Sequence, residues 1–285
     1  MRPDVLQQLD VNRRGRVGRR ELLKSVVALT GGYTAAHLFL ANSALAAMSP
    51  AQETQSANVD VETVHYPSEE SSIEAYLAKP KGTGTFPAVM VIHENRGLTD
   101  QFRDVTRRFA AAGFIAMAPD LLSRVGGMAK MDTPADATRA LNQLPPDATV
   151  NDLKAGFDFL SKYSGVDAAK VSVVGFAWGS WRTFLLAEAV PNIYRAVVFY
   201  GSTPTDGLQN IHAPVLAHYA QFDFRTTGNA ILIQDTMKKL GKKFTYYVYP
   251  NTYSTFFDDM GTQRYDADAS KLAWTRTLDF LRSNS

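Results

Sequence analysis

The chain has 285 residues, 45 % of them hydrophobic and 20 % charged, which is ordinary for a globular protein long enough to form one large α/β domain. Cysteine is absent, so disulfides, thiolate metal sites and cysteine nucleophiles are excluded. The net charge of +2 arises from the first 46 residues, which hold seven Lys or Arg against three acids, and the remaining body carries a net charge of −2. A nearly neutral body gives no sign of a nucleic-acid partner.

The first 46 residues carry the features of an export address. Arg19 and Arg20 are followed by "ELLK" and an apolar stretch, and the small residues at Ala44–Ala46 offer a cleavage site. The pattern resembles a bacterial twin-arginine signal, which is read by the twin-arginine export machinery. We therefore expect a periplasmic or secreted protein without a stable membrane span after cleavage of residues 1–46. An uncleaved anchor is the alternative, because the apolar stretch approaches the length of about 20 residues that a bilayer requires.

Beyond a polar linker at residues 47–58, strand and helix signals alternate to the end of the chain. The run "FPAVMVIHE" is continuously apolar, as in a strand buried on both faces, whereas "DQFRDVTRRFAAAGF" has helical spacing. Strands are predicted over 61–67, 73–80, 86–94, 114–120, 170–176, 194–201, 213–223 and 243–250. Helices are predicted over 100–114, 148–163, 181–190, 229–240 and 267–284, and residues 121–145 are expected to be less regular.

This alternation predicts a mostly parallel central sheet with helices on both faces. In such sheets the chemistry gathers at the carboxyl ends of the strands, and three predicted strand ends carry polar residues. The segment "VIHENRG" supplies Glu94 and Asn95, the strand in "HYAQFD" ends at Asp223, and the last strand leads to Ser254 in "YPNTYS". We expect these residues to lie along one edge of the sheet.

The segment "GFAWGS", residues 175–180, lies between a buried strand and a helix. This is the setting of a nucleophile elbow, in which a sharp turn lifts a Ser or Cys out of the sheet edge. Ala177 stands at the tip of the turn and has no nucleophilic atom. The chain order is oxyanion loop, nucleophile position, acid and base position, which is the α/β-hydrolase order. The sequence therefore predicts an α/β-hydrolase fold whose elbow lacks its reactive group.

Six segments together resemble the dienelactone hydrolase family: "VIHENRGL", "APDLLSR", "VVGFAWGS", "HYAQFD", "YPNTYSTFFDD" and "KLAWTRTLDFL". The resemblance spans a domain at residues 59–285 and implies a Cys-His-Asp triad. Carried over residue by residue, Asp223 matches the acid, whereas Ala177 stands at the nucleophile position and Ser254 at the base position. Two of the three triad members are replaced.

The resemblance also implies roles for residues that are retained. Glu94 matches a glutamate that pairs with the nucleophile, and the backbone N–H groups of Asn95 and Trp178 match the oxyanion-hole donors. Such donors need no particular side chain, so the hole can survive the substitutions. Arg124 matches a position that binds the carboxylate of acidic substrates. No cofactor is implied.

Other residues are candidates to replace the missing groups. Ser180 lies away from the apex, and Ser254 would need a base although no histidine follows His218. His93, beside Glu94, could act on water, but a hydrogen-bonded structural role is the favoured interpretation of both histidines. No metal-ligand spacing such as H-E-x-x-H is present, so no metal site is expected.

Two functional hypotheses follow. The first is an exported hydrolase of esters or lactones whose degenerate triad leaves weak activity or none. The second is an inactive relative that binds a small ester, lactone or acidic ligand in the former active-site pocket. Loss of a triad leaves little acceleration over water, which favours the second hypothesis for the chemistry itself.

Overall fold

The structure, a computed structural model, describes residues 59–261 and 263–283. The predicted export signal at 1–46 and the linker at 47–58 lie outside the described residues. The strands are β1 Val59–Ser68, β2 Ser71–Pro80, β3 Phe86–Ile92, β4 Ile115–Pro119, β5 Val166–Phe176, β6 Ala196–Phe199, β7 Val215–Ala220 and β8 Phe244–Tyr249. The helices are α1 Asp100–Ala111, α2 Pro134–Gln143, α3 Pro146–Ser161, α4 Trp178–Ala189, α5 Phe224–Thr227, α6 Ala230–Lys239 and α7 Ala267–Arg282.

The eight strands form one sheet in the order β1-β2-β4-β3-β5-β6-β7-β8. β1 pairs with β2 and β2 with β4 in antiparallel fashion, and every other neighbouring pair is parallel. Parallel neighbours require crossover helices, which cover both faces of the sheet. The α/β-hydrolase prediction, with a mostly parallel sheet between helices, is confirmed.

The central strands bury both faces. In β3, Met90 and Ile92 face a core that contains Phe157 of α3 and Phe184 of α4, because side chains alternate along a strand. Val89 and Val91 face the opposite core, in which the apolar side of α1 packs. The continuous apolar run in the sequence reflects this double burial.

Several helices differ from the sequence-based expectation: α5 was not predicted, and α1 ends at Ala111 rather than at 114. α2 occupies part of the region predicted to be irregular, and its start carries a capping box between Thr133 and Asp136 with Pro134 in the first turn. α4 begins at Trp178, three residues earlier than predicted, because the chain turns into the helix directly after Ala177. Among residues 59–261 and 263–283, no helix is long and apolar enough to cross a membrane.

His218 in β7 is fully buried and hydrogen-bonded at both ring nitrogens. Nδ1 lies 2.8 Å from the hydroxyl of Tyr249, and Nε2 lies 3.0 Å from Oγ1 of Thr277 on α7. Burial, reinforced by the nearby Arg276 charge, lowers the pKa of His218 to about 3. The structural interpretation of this histidine is confirmed, and the ring joins β7, β8 and α7 in its neutral form.

The neutral state of His218 predicts a measurable acid sensitivity. An unfolded histidine takes up its proton below a pKa of about 6.5, whereas the folded ring stays neutral, so stability falls as the pH drops from about 6.5 towards 3. The maximal slope is about 1.4 kcal/mol per pH unit. In urea titrations at several pH values, His218→Gln should show a shallower loss of unfolding free energy than the unmodified protein. His93 is present in both proteins, so it contributes equally to both and the difference between the slopes reports His218. Identical slopes would contradict a neutral His218 in the folded protein.

Candidate active site

The turn between β5 and α4 is a strained elbow with an alanine at its apex. Ala177 has φ 47° and ψ −108°, a conformation that L-residues rarely adopt and that costs about 1–3 kcal/mol. Its N–H donates to the carbonyl oxygen of Phe199 in β6 at 2.9 Å, which ties the apex to the neighbouring strand. The elbow predicted from "GFAWGS" is therefore formed although the apex holds only a methyl group.

Three glycines make this turn possible. A Cβ on Gly179 would lie 2.5 Å from the carbonyl oxygens of Ile92 and His93, so α4 approaches the oxyanion loop too closely for any side chain. A Cβ on Gly175 would lie 2.5 Å from the carbonyl oxygen of Gly179. A Cβ on Gly201 would collide with the carbonyl oxygen of Ala177. Close backbone packing around the apex leaves no freedom at these positions.

A cavity of about 350 Å³ opens beside the elbow at the carboxyl edge of the sheet. It brings together four of the residues predicted for the site, namely Asn95, Ala177, Trp178 and Ser254. The further lining residues are Asn142, Trp181, Arg182, Tyr200, Gly201, Ser202 and Arg225. Asp223, Glu94 and Arg124 do not line it.

Among residues 59–261 and 263–283, neither predicted oxyanion donor has a hydrogen-bond acceptor for its backbone N–H group. Trp178 is the first residue of α4, where backbone N–H groups have no partner within the helix. Within the described part of the chain, the N–H of Asn95 donates no hydrogen bond either. Both residues line the cavity beside Ala177, so an oxygen atom at this point could accept from both.

No imidazole lines the cavity among the described residues. His93 is fully buried, its Nδ1 lies 2.7 Å from the carbonyl oxygen of Glu94, and its Nε2 accepts from the N–H of Leu121 at 3.3 Å. Both ring nitrogens are thus committed to the backbone, and burial lowers the pKa of His93. The structural interpretation of His93 is confirmed, and the loop before Asn95 is fixed by this ring.

Two serine hydroxyl groups lie near the elbow, one beneath the apex and one on the cavity wall. Ser180 is buried beneath the apex, and its Oγ lies 2.9 Å from the carbonyl oxygen of Phe199 and 3.1 Å from that of Gly175. Ser254 is half-buried on the cavity wall, without an imidazole to activate it. Asp223 is half-buried at the start of α5, outside the lining.

Glu94 belongs to an ionic network behind the cavity. Arg96 pairs with the Glu94 carboxylate and also with Asp258, at 2.6 Å from the latter. Burial is the main influence on the Glu94 carboxyl group and raises its pKa. The network ties the oxyanion loop to the loop that carries Ser254, so it holds two walls of the site together.

Arg124 is held by acids away from the cavity. Its guanidinium makes two 2.8 Å hydrogen bonds to the buried carboxylate of Asp152, and a third of 2.8 Å to Glu69. These bonds raise its pKa further above the ordinary value. Arg124 therefore joins α3 to the β1–β2 turn, and its role in carboxylate binding stays a prediction.

Sequence reasoning missed the two arginines that do line the cavity. Arg182 lies one helical turn beyond Trp178 on α4, and Arg225 lies on α5 close to Asp223. The helical i, i+4 spacing from Trp178 could have pointed to Arg182. Among the described residues, no group of three or more His, Asp or Glu is placed to hold a metal ion.

The parallel sheet, the strained strand-to-helix elbow and the free N–H pair define a protein of the α/β-hydrolase fold. A family model described as "Dienelactone hydrolase family" matches residues 73–285. The chain belongs to the dienelactone hydrolase family, as its motifs predicted.

Individual relatives agree with this placement. A Methylorubrum extorquens protein named "Putative carboxymethylenebutenolidase" is 30 % identical over 235 residues, which cover 77 % of this chain and 79 % of the relative. A protein of the same name from Escherichia coli is 27 % identical over 230 residues, covering 76 % and 84 %. The crystal structure of a "Putative Dienelactone Hydrolase" from Klebsiella pneumoniae has a TM-score of 0.69 and 26 % identity, covering 78 % of this chain and 98 % of that one.

The strain at the apex predicts an unusual response to glycine. Glycine adopts positive φ freely, so Ala177→Gly should leave the unfolding free energy unchanged or raise it by about 1–2 kcal/mol. The matched control Ala155→Gly, in the middle of α3, should lower it by at least about 1 kcal/mol. Urea unfolding of both variants checks this. Equal losses in the two variants would show that Ala177 is not strained.

Proposed function

We propose that this protein is an exported member of the dienelactone hydrolase family that binds a small molecule in its former active site, with triad hydrolysis weak or lost. The observation that carries the proposal is the Ala177 methyl group at the apex of a fully formed elbow. Covalent acyl transfer needs an activated nucleophile at this point and a base within hydrogen-bond reach. The described cavity lining offers Ser254 where an imidazole would be needed.

The retained features suit binding better than turnover. The N–H groups of Asn95 and Trp178 can still hold an oxygen atom of a ligand at the elbow. Hydrolysis by water would require a general base within reach of the attacking water. His93 cannot serve as that base, because both of its ring nitrogens are hydrogen-bonded to the backbone. Oxyanion binding without a triad leaves about 10³–10⁴-fold acceleration over uncatalysed hydrolysis, far below a working hydrolase.

Residual hydrolysis of esters or lactones is the second candidate. It is favoured by the free oxyanion donors and by the name carboxymethylenebutenolidase that several relatives carry. In this candidate the ligand of the cavity is an ester or lactone that water attacks slowly. The two candidates share the cavity and differ in whether bond cleavage occurs there.

Restoring the missing groups tests the degenerate triad. Ala177→Cys and Ser254→His should each leave ester hydrolysis within a few-fold of background. A lone thiol has a pKa of about 8.5 and stays mostly protonated at neutral pH, and a lone imidazole has only water to activate. Together they should raise kcat/KM for 4-nitrophenyl acetate by at least about 10²-fold, a strongly non-additive gain. Adding Asp223→Ala to the double variant should remove most of that gain.

The crowded elbow supplies a control for this experiment. The Trp181 ring lines the cavity and could obstruct an ester in the double variant, so the same pair is also assayed with Trp181→Ala. Rapid turnover by the unmodified chain that Asp223→Ala leaves unchanged would contradict the degenerate-triad proposal. His93 and Glu94 would then be the residues to mutate.

Export is proposed from the sequence of residues 1–46. Replacing Arg19 and Arg20 with lysine should stop export of the folded protein, because the twin-arginine pair is the feature that the receptor reads. Cell fractionation should find the unmodified protein in the periplasm with its N-terminus near Ala47, and the variant in the cytoplasm. Normal periplasmic accumulation of the variant would contradict the route.

A further inference from the structure

Arg182 brings a positive charge to the cavity, and no acid of the described part of the chain forms an ion pair with it. Its guanidinium carbon lies 3.5 Å from the centre of the Trp178 ring, and its Nε is buried without a hydrogen-bond partner among the described residues. Burial alone lowers the pKa of Arg182 to about 10, so the group is still charged at neutral pH. A desolvated cation of this kind gains much from an anion placed beside it.

Three other arginines of this chain differ from Arg182 in their partners. Arg96 lies 2.6 Å from Asp258, Arg108 lies 2.6 Å from Asp104, and Arg124 lies 2.8 Å from Asp152. Each of these arginines has a buried carboxylate against its guanidinium. Arg182 has the Trp178 ring against its guanidinium instead, and within the described residues no carboxylate pairs with it at the cavity wall.

Other hydrogen-bond donors also lie around the cavity. The indole Nε1 of Trp178 is buried without a partner, and the N–H groups of Asn95 and Trp178 are free within the described residues. Arg225 adds an exposed guanidinium at the cavity. No Asp or Glu stands among the described lining residues. Donors of this number and charge match the oxygens of an anion.

The alanine at the apex fits the same ligand. The methyl group of Ala177 is uncharged, so it presents no repulsion to an anion beside the N–H groups of Asn95 and Trp178. A cavity of about 350 Å³ is at the small end of ligand pockets, so its ligand is small.

From these features we infer that the cavity selects small organic carboxylates, with Arg182 as the principal partner of the carboxylate group. The inference rests on the proposed binding function and names its ligand class. Of the two arginines that line the cavity, Arg182 is partly buried and Arg225 is exposed, where solvent screens its charge. The single partly buried charge is balanced by one negative charge, so a monoanionic carboxylate fits better than a dianionic phosphate or phosphonate. The rings of Trp181 and Tyr200 are available to contact the apolar body of the ligand.

Calorimetric titration with matched acids and amides tests the inference. The probes are benzoate, phenylacetate and hexanoate, each beside its primary amide, with phenylphosphonate as the dianion. At least one acid should bind saturably and at least about tenfold more tightly than its amide and than phenylphosphonate. The signal can be cross-checked by intrinsic fluorescence, because two of the three tryptophans line the cavity.

Variants identify the residue responsible. Arg182→Gln should weaken the bound acid at least about tenfold while leaving affinity for the amide unchanged, and Arg182→Lys should recover part of the loss. The control Arg282→Gln removes an exposed guanidinium that hydrogen-bonds Ala112, at the end of α1 just before β4, and should change neither affinity. Thermal unfolding of each variant checks that it is folded.

Each remaining outcome counts against the inference. Equal affinity for acids and amides, or unchanged acid affinity in Arg182→Gln, would refute carboxylate selection but leave the binding function standing. Tighter binding of phenylphosphonate would assign the site to dianions instead. Failure of every probe to bind would overturn the inference, and rapid ester hydrolysis by the same preparation would overturn the proposed function as well.

Discussion

The rest of the site depends on the turn between β5 and α4. The positive φ of Ala177 reverses the chain so that α4 starts at the sheet edge, with its first N–H beside the cavity. The turn survives because Gly175, Gly179 and Gly201 let three backbone segments approach within distances that a Cβ would not allow. The strain is a property of the backbone, so losing the nucleophilic side chain does not relax it.

Ion pairs hold the two loops next to this turn in place. Arg96 bridges Glu94 on the oxyanion loop and Asp258 on the loop after β8. Each of these charges is costly to bury alone, and together they stabilise the loop pair that frames the cavity. These ion pairs hold the loop that carries Asn95 beside the elbow at Ala177.

The arginines show how tertiary contacts redirect a role that a motif suggests. Arg124 lies in the segment "APDLLSR", where the family resemblance implies carboxylate binding, yet Asp152 and Glu69 occupy its guanidinium. Arg182 belongs to no motif, but the pitch of α4 stacks it on Trp178 at the cavity wall. Which guanidinium pairs with a carboxylate among the described residues is therefore decided by the folded chain.

The sequence by itself determined the fold class, most element positions and the absence of a nucleophile at Ala177. Apolar runs report burial on both faces of a strand, and the spacing of glycines around "GFAWGS" reports a sharp turn, because both are local properties of the chain. It missed α2 although Thr133 and Asp136 form a capping box, since few apolar residues mark that helix. Only the tertiary structure decided that both nitrogens of His93 are used by the backbone and that Ser180 is buried beneath the apex. The same holds for Arg182 and Arg124, because a side chain's partners come from elements far apart in sequence.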